Sequence, residues 1–140
     1  MAESVFREKT HEKGLDDRYV IDSAGLIDVH QGEPADRRMR RAGELRGYSI
    51  THRSRPVRRD DFDTFDLIVC MDRQNWSGLM AMASTAEQKK KVFYMTDFCA
   101  AHRGEEVPDP YYGGEEGFDR VIDMLEESCE GLLSFSSIIE

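Results

Sequence analysis

One carboxylate clamped between two prolines, in Val107-Pro108-Asp109-Pro110-Tyr111-Tyr112-Gly113-Gly114, is the part of this chain best suited to chemistry. Proline fixes its own φ and drives the residue before it towards extended geometry, so Asp109 has little freedom in where it points. A carboxylate held in this way, with two aromatic rings directly after it, reads as a positioned general acid beside an aromatic wall. The same residue types also suit a turn whose Asp caps a helix starting near Glu115. The bare pattern leaves both readings open.

The elements that must carry such a loop follow from hydrophobic spacing. Met1 to about Lys13 reads as a helix with Val5 on its apolar face, ended by Gly14. Arg18 to Asp22 is a short β-branched run, and Ala35 to Arg46 is a helix closed by Gly47. Phe65 to Met71 is an almost unbroken apolar run of a length that suits a buried parallel strand, and Asp72 is placed to cap a helix through about Met82. Lys91 to Met95 is another strand candidate. Gly117 to Leu133 carries Phe118, Val121, Ile122, Leu125, Cys129 and Leu132 at three- and four-residue spacings, as an amphipathic helix on a sheet does. This alternation predicts a three-layer α/β fold, a parallel sheet with helices on both faces, as a single domain over residues 1–140.

Composition narrows the function. A net charge of −9 disfavours a general nucleic-acid binder, which needs surplus Lys and Arg to neutralise phosphates. No apolar run approaches the roughly 20 residues that span a bilayer, so no membrane partner is expected and a cytoplasmic location follows by default. Three cysteines without regular spacing argue for reduced thiols, with no disulfide framework and no zinc site. The charge is uneven: nine of the nineteen basic residues lie between Arg37 and Arg59, whereas Glu105 onward holds eleven acidic residues against Arg120 alone. The arginine run suits a solvated helix face and loop, or a basic rim around Arg53, Arg55 and Arg58 that attracts an anionic phosphopeptide.

The Asp-Pro-Tyr-Tyr segment resembles the acid loop of the low-molecular-weight protein tyrosine phosphatases. Further similarities run in family order through Val20-Ile21-Asp22-Ser23-Ala24-Gly25, Gly32-Glu33-Pro34-Ala35-Asp36, Thr51-His52-Arg53-Ser54-Arg55 and Asp66-Leu67-Ile68-Val69-Cys70-Met71-Asp72-Arg73-Gln74-Asn75. The resemblance implies that Asp109 is the general acid and later the base towards the hydrolytic water. Tyr111 and Tyr112 would form one wall of the substrate slot, with Val29 on the opposite wall where relatives often carry an aromatic residue. Ser23 and His52 would brace the phosphate loop, and Asp72 and Asn75 suit helix capping and loop anchoring. The implied substrate is a phosphotyrosine protein or aryl phosphate, handled without metal or cofactor.

The same resemblance implies a Cys-x5-Arg loop that supplies the nucleophile and cradles the phosphate. Cys70, Cys99 and Cys129 have Trp76, Glu105 and Phe135 six positions on, so none rebuilds it. The chain is therefore expected to be N-terminally truncated, with Met1 an internal methionine of a longer phosphatase, and inactive as written. Alternatives are a catalytically dead binding module of the same fold, or an arsenate reductase-like enzyme if the loop lies upstream. The family's first strand would lie between the segments Arg18–Asp22 and Phe65–Met71, so its loss is expected to open the sheet. The β-prone tail Leu132-Leu133-Ser134-Phe135-Ser136-Ser137-Ile138-Ile139 is a candidate to fill the gap.

Overall fold

The structure, a computed structural model, describes residues 1–25, 37–48, 55–108 and 115–139. Helix α1 spans Ala2–Glu12, and the chain turns at Gly14, whose φ of +67° is a conformation glycine adopts without strain. A 3-10 turn at Asp16–Arg18 follows, then α2 (Arg37–Leu45), closed at Gly47 with φ +87°. The short α3 (Asp61–Thr64) leads into β1 (Ile68–Cys70). Helices α4 (Arg73–Met82) and α5 (Ala86–Lys90) cross to β2 (Val92–Tyr94), a 3-10 turn covers Met95–Phe98, and α6 runs from Glu115 to Ile139.

Strands β1 and β2 pair in parallel, with Ile68 opposite Val92, Val69 opposite Phe93 and Cys70 opposite Tyr94. Side chains alternate across a strand, and here both faces are covered. Leu67, Val69 and Met71 pack on the core made by Val5, Phe6, Val121, Leu125 and Cys129 from α1 and α6. Ile68 and Cys70 join the second core with Phe62, Leu79, Ala83 and Val92. The expected three-layer α/β architecture is thus present, and the uninterrupted apolar run at Leu67–Met71 reflects burial on two sides.

The caps match their chemistry. The Asp72 carboxylate accepts the Asn75 N–H at 2.8 Å at the start of α4, and the Thr85 hydroxyl accepts the Gln88 N–H at 3.1 Å at the start of α5. Between α1 and α6, Lys13 and Lys9 donate to the two oxygens of Glu130 at 2.9 and 3.1 Å. The hydrogen bond from Lys13, then that from Lys9, hold the Glu130 carboxyl below its ordinary value near 4.5. A depressed carboxyl contributes stability above that ordinary value and loses it as pH falls through the folded value. The carboxylate is half exposed, so Glu130→Gln should cost about 1 kcal/mol or less at neutral pH. In urea titrations that difference should shrink as pH falls through the folded-state value of Glu130 and be gone once the carboxyl is protonated in both states.

Three expectations are corrected. The tail 132–139 is the last part of α6, with no strand character through Ile139. Leu132, Leu133 and Ser136 continue the buried helical stripe of Ile122, Leu125 and Cys129, and that helical period outweighs the local β-propensity. Arg18–Asp22 forms no strand: Arg18 ends a 3-10 turn, residues 19–24 are extended or irregular, and Gly25 alone makes a parallel bridge, to Pro56. Strand character in the run Phe65–Met71 is limited to the three residues that face β2. Both effects have one cause, because a strand is registered only where a neighbour pairs with it. Between these two segments lies a cavity of about 710 Å3, where the sheet was expected to be open.

Candidate active site

The segment that leads into the proline-clamped acid is seated on the end of β1. The Val107 N–H donates to the Met71 carbonyl at 2.8 Å, and its side chain is buried in the main core. The Glu106 carboxylate accepts the Arg73 N–H at 3.2 Å in the first turn of α4, and the Thr96 hydroxyl donates to the Glu105 carbonyl. On the same strand end, the Met71 N–H donates to Asn75 Oδ1 at 3.2 Å. Pro108 therefore leaves the described structure at the carboxyl end of a parallel strand, where α/β proteins place their ligands. Asp72 and Asn75 act as the expected cap and loop anchor.

Across the cavity stands a polar network centred on Ser23. Its hydroxyl donates to Glu3 at 2.8 Å, and Glu3 also accepts from Arg7 Nε at 3.0 Å. The Arg7 guanidinium reaches the Ile21 carbonyl as well. Next to Ser23, Asp22 accepts from Arg55 Nε at 3.0 Å, and the remaining Arg55 nitrogens bind both oxygens of Asp61 at 3.0 and 3.2 Å. Burial alone would raise the Asp61 carboxyl, but the hydrogen bonds from Arg55 and from the Arg58 N–H outweigh it and hold the group below its ordinary value. The hydrogen bond to Asp61 raises the Arg55 guanidinium in turn. Ser23, Asp22 and Arg55 line the same cavity as Met71 and Asn75, which gathers the strand end and the polar network around one space.

This arrangement changes the reading of the arginine run. Arg55 is committed to two carboxylates, and Arg46 binds Asp123 and Glu126 on α6 at 2.8 Å each. Neither is a spare cation on a basic rim. Nothing in the local sequence announced these pairs, because Asp22, Asp61, Asp123 and Glu126 are brought to the arginines by tertiary packing.

Of the other site residues expected from sequence, Val29, His52, Asp109, Tyr111 and Tyr112 lie outside the described residues. The three cysteines are all described and all buried. Burial pushes the Cys70 and Cys129 thiols up to about 12, and Cys99 donates its thiol proton towards Glu127 at 3.3 Å. These are core residues. Among the described residues there is no cluster of His, Cys, Asp or Glu suited to a metal ion, and no helix long and apolar enough to cross a membrane.

A three-layer α/β domain in which the segment ending at Pro108 leaves the carboxyl end of a parallel strand has the geometry of α/β proteins that hold ligands at strand ends. The family model for low molecular weight phosphotyrosine protein phosphatase matches residues 1–139, and the chain belongs to that family. A relative from Synechocystis sp., named for the same family, is 39% identical over 133 residues, covering 95% of this chain and 85% of its own length. The low molecular weight protein-tyrosine-phosphatase of Streptomyces coelicolor is 36% identical over 136 residues, covering 96% of this chain and 83% of its own. Among solved structures, a protein tyrosine phosphatase from Entamoeba histolytica superposes with a TM-score of 0.90 at 46% identity, covering 94% of this chain and 84% of that one.

Proposed function

We propose that this domain carries the acid-loop part of a phosphotyrosine phosphatase, and that these 140 residues by themselves do not turn over substrate. The reading is carried by the seating of Val107 on Met71, which starts the Pro108-Asp109-Pro110-Tyr111-Tyr112 segment at a strand end. Asp109 protonates the phenolate oxygen of a phosphotyrosine protein or aryl phosphate as the phosphoryl group passes to a cysteine thiolate. It then takes a proton from the water that cleaves the phosphocysteine. Tyr111 and Tyr112 form one wall for the aryl ring and Val29 the other, while Ser23 and His52 brace the phosphate loop. Ser23 already has an acceptor in Glu3, so its hydroxyl oxygen remains available to accept from a backbone N–H. No metal or cofactor takes part.

The thiolate and its phosphate cradle have to come from residues other than these 140. None of the three cysteines has an arginine six positions on, and two of them are held as neutral thiols by burial. A thiol near 12 is essentially never a nucleophile at neutral pH. Incubated with p-nitrophenyl phosphate, the 140-residue chain is expected to release no nitrophenolate above the buffer rate. The chain preceded by a segment that carries a Cys-x5-Arg loop is expected to release it. Turnover by the short chain, or none by the extended one, would sink the proposal.

A further inference from the structure

The root of the proline-clamped loop is held at three points, and they differ in kind. The Val107 N–H donates to Met71 through a backbone bond that any residue at 107 except proline could make. The Glu106 carboxylate accepts the Arg73 N–H, but Glu106 is exposed and water competes for that bond. The third is the Thr96 hydroxyl, which donates to the Glu105 carbonyl from a residue only 1% exposed. A threonine in a helical turn commonly returns its hydroxyl to a carbonyl three or four residues back. Thr96 instead reaches nine residues forward, across the loop 99–105 that Gly104 turns with a φ of +85°.

Thr96 itself is fixed in place. The Asp97 carboxylate accepts the Tyr94 N–H at 2.9 Å, and the Cys99 N–H donates to the Thr96 carbonyl at 3.1 Å, which closes the 3-10 turn at both ends. Met95 is buried in the main core, and the Phe98 backbone lies where a side chain on Gly131 would have to go, so the turn is seated on α6. Among the described residues no backbone N–H reaches the Glu105 carbonyl. Beyond it few torsions are free, because Val107 precedes a proline and Pro108 fixes its own φ. A shift at that carbonyl is passed along the chain towards Asp109.

We infer that Thr96 is a positioning residue for the acid loop: its hydroxyl, held on α6 by the 3-10 turn, sets where residues 105–108 lie and so where Asp109 presents its proton. The inference rests on the reading of Asp109 as the general acid. Thr96 does not line the cavity at the strand end, so it acts through Glu105. Groups behind a catalytic side chain work in this way, by confining it to the productive geometry. Valine has nearly the shape of threonine without the donor, so Thr96→Val leaves the Glu105 carbonyl to water and loosens the root of the loop.

Two measurements test this. In the 140-residue chain, Thr96→Val is expected to speed exchange of the Val107 amide about tenfold and to leave the Ile68 amide, bonded to the Lys91 carbonyl, unchanged. In the chain preceded by a segment that carries a Cys-x5-Arg loop, the same change is expected to lower kcat about tenfold for an alkyl-substituted phenyl phosphate and less for p-nitrophenyl phosphate. It should add no loss when Asp109 is already asparagine, because a residue that acts through the acid then has nothing to position. Thr96→Ser keeps the hydroxyl and Thr96→Ala removes it, so serine should exceed alanine in both readouts, and this pair decides the matter if the valine variant does not fold. An unchanged Val107 amide, no loss of kcat, equal losses for the two substrates, or a full further loss in the Asp109→Asn background overturns the inference. Asp109→Asn without any dependence on leaving group overturns the acid reading itself, and the inference with it.

Discussion

Gly131→Ala should destabilise the protein by about 3 kcal/mol or more, a large share of the roughly 5–15 kcal/mol that holds a domain together. A Cβ at this position would sit 1.8 Å from the Phe98 carbonyl oxygen and 2.8 Å from its carbonyl carbon. Both are backbone atoms of the 3-10 turn after β2, so no rotamer change relieves the clash, and α6 or the turn must move. The consequence reaches the candidate site. Phe98 packs with Phe93 and Phe135 and precedes the Cys99–Val107 segment that seats the acid loop on Met71. Gly117→Ala in the same helix is the control, because nothing lies within 4 Å of its added methyl group. Replacing a helical glycine by alanine there should be neutral or stabilise by up to about 1 kcal/mol. Urea midpoints of the two variants should therefore move apart, and a similar small shift in both would show that the α6 to 3-10 contact is looser than the structure has it.

Asp109→Asn should reduce kcat by about 10²–10⁴ in a version that contains the Cys-x5-Arg loop, the usual contribution of a positioned proton donor. The size of the loss should depend on the leaving group. A good one such as p-nitrophenolate needs little protonation and should lose least, whereas an alkyl-substituted phenol should lose most. The variant should also lose the high-pH limb of the kcat profile that reports the acid, since asparagine has no proton to lose there. Equal losses for all leaving groups, with both limbs retained, would assign Asp109 to positioning the loop and leave the proton donor to be found elsewhere.

Local rules made much of the scaffold legible. Gly14 and Gly47 stop α1 and α2 with the positive φ that glycine tolerates, Asp72 caps α4, and the three- and four-residue spacing from Phe118 to Leu132 marks α6. Each is a short-range effect between residues a few positions apart. The short helices α3 and α5 went unread because four or five residues carry too little periodicity. The tail departs from its local β-propensity because the buried helical stripe runs through Leu132, Leu133 and Ser136, just before its β-branched end. For the site, the proline clamp drew attention to Asp109, but the seating of Val107 on Met71 joins residues far apart in sequence and has no local signature.

The sequence by itself determined the class of fold, the family resemblance and the absence of a Cys-x5-Arg motif within these residues, because motifs and periodicities are written in neighbouring positions. Tertiary structure alone decided which charges pair. Arg55 is bound to Asp22 and Asp61 and Arg46 to α6, so two arginines that could have formed a rim serve as cross-links. It also decided that the three cysteines are buried thiols and that the Phe98 backbone lies where a side chain on Gly131 would have to go. Burial and close approach are relations between distant segments, and they come into being only when the chain has folded.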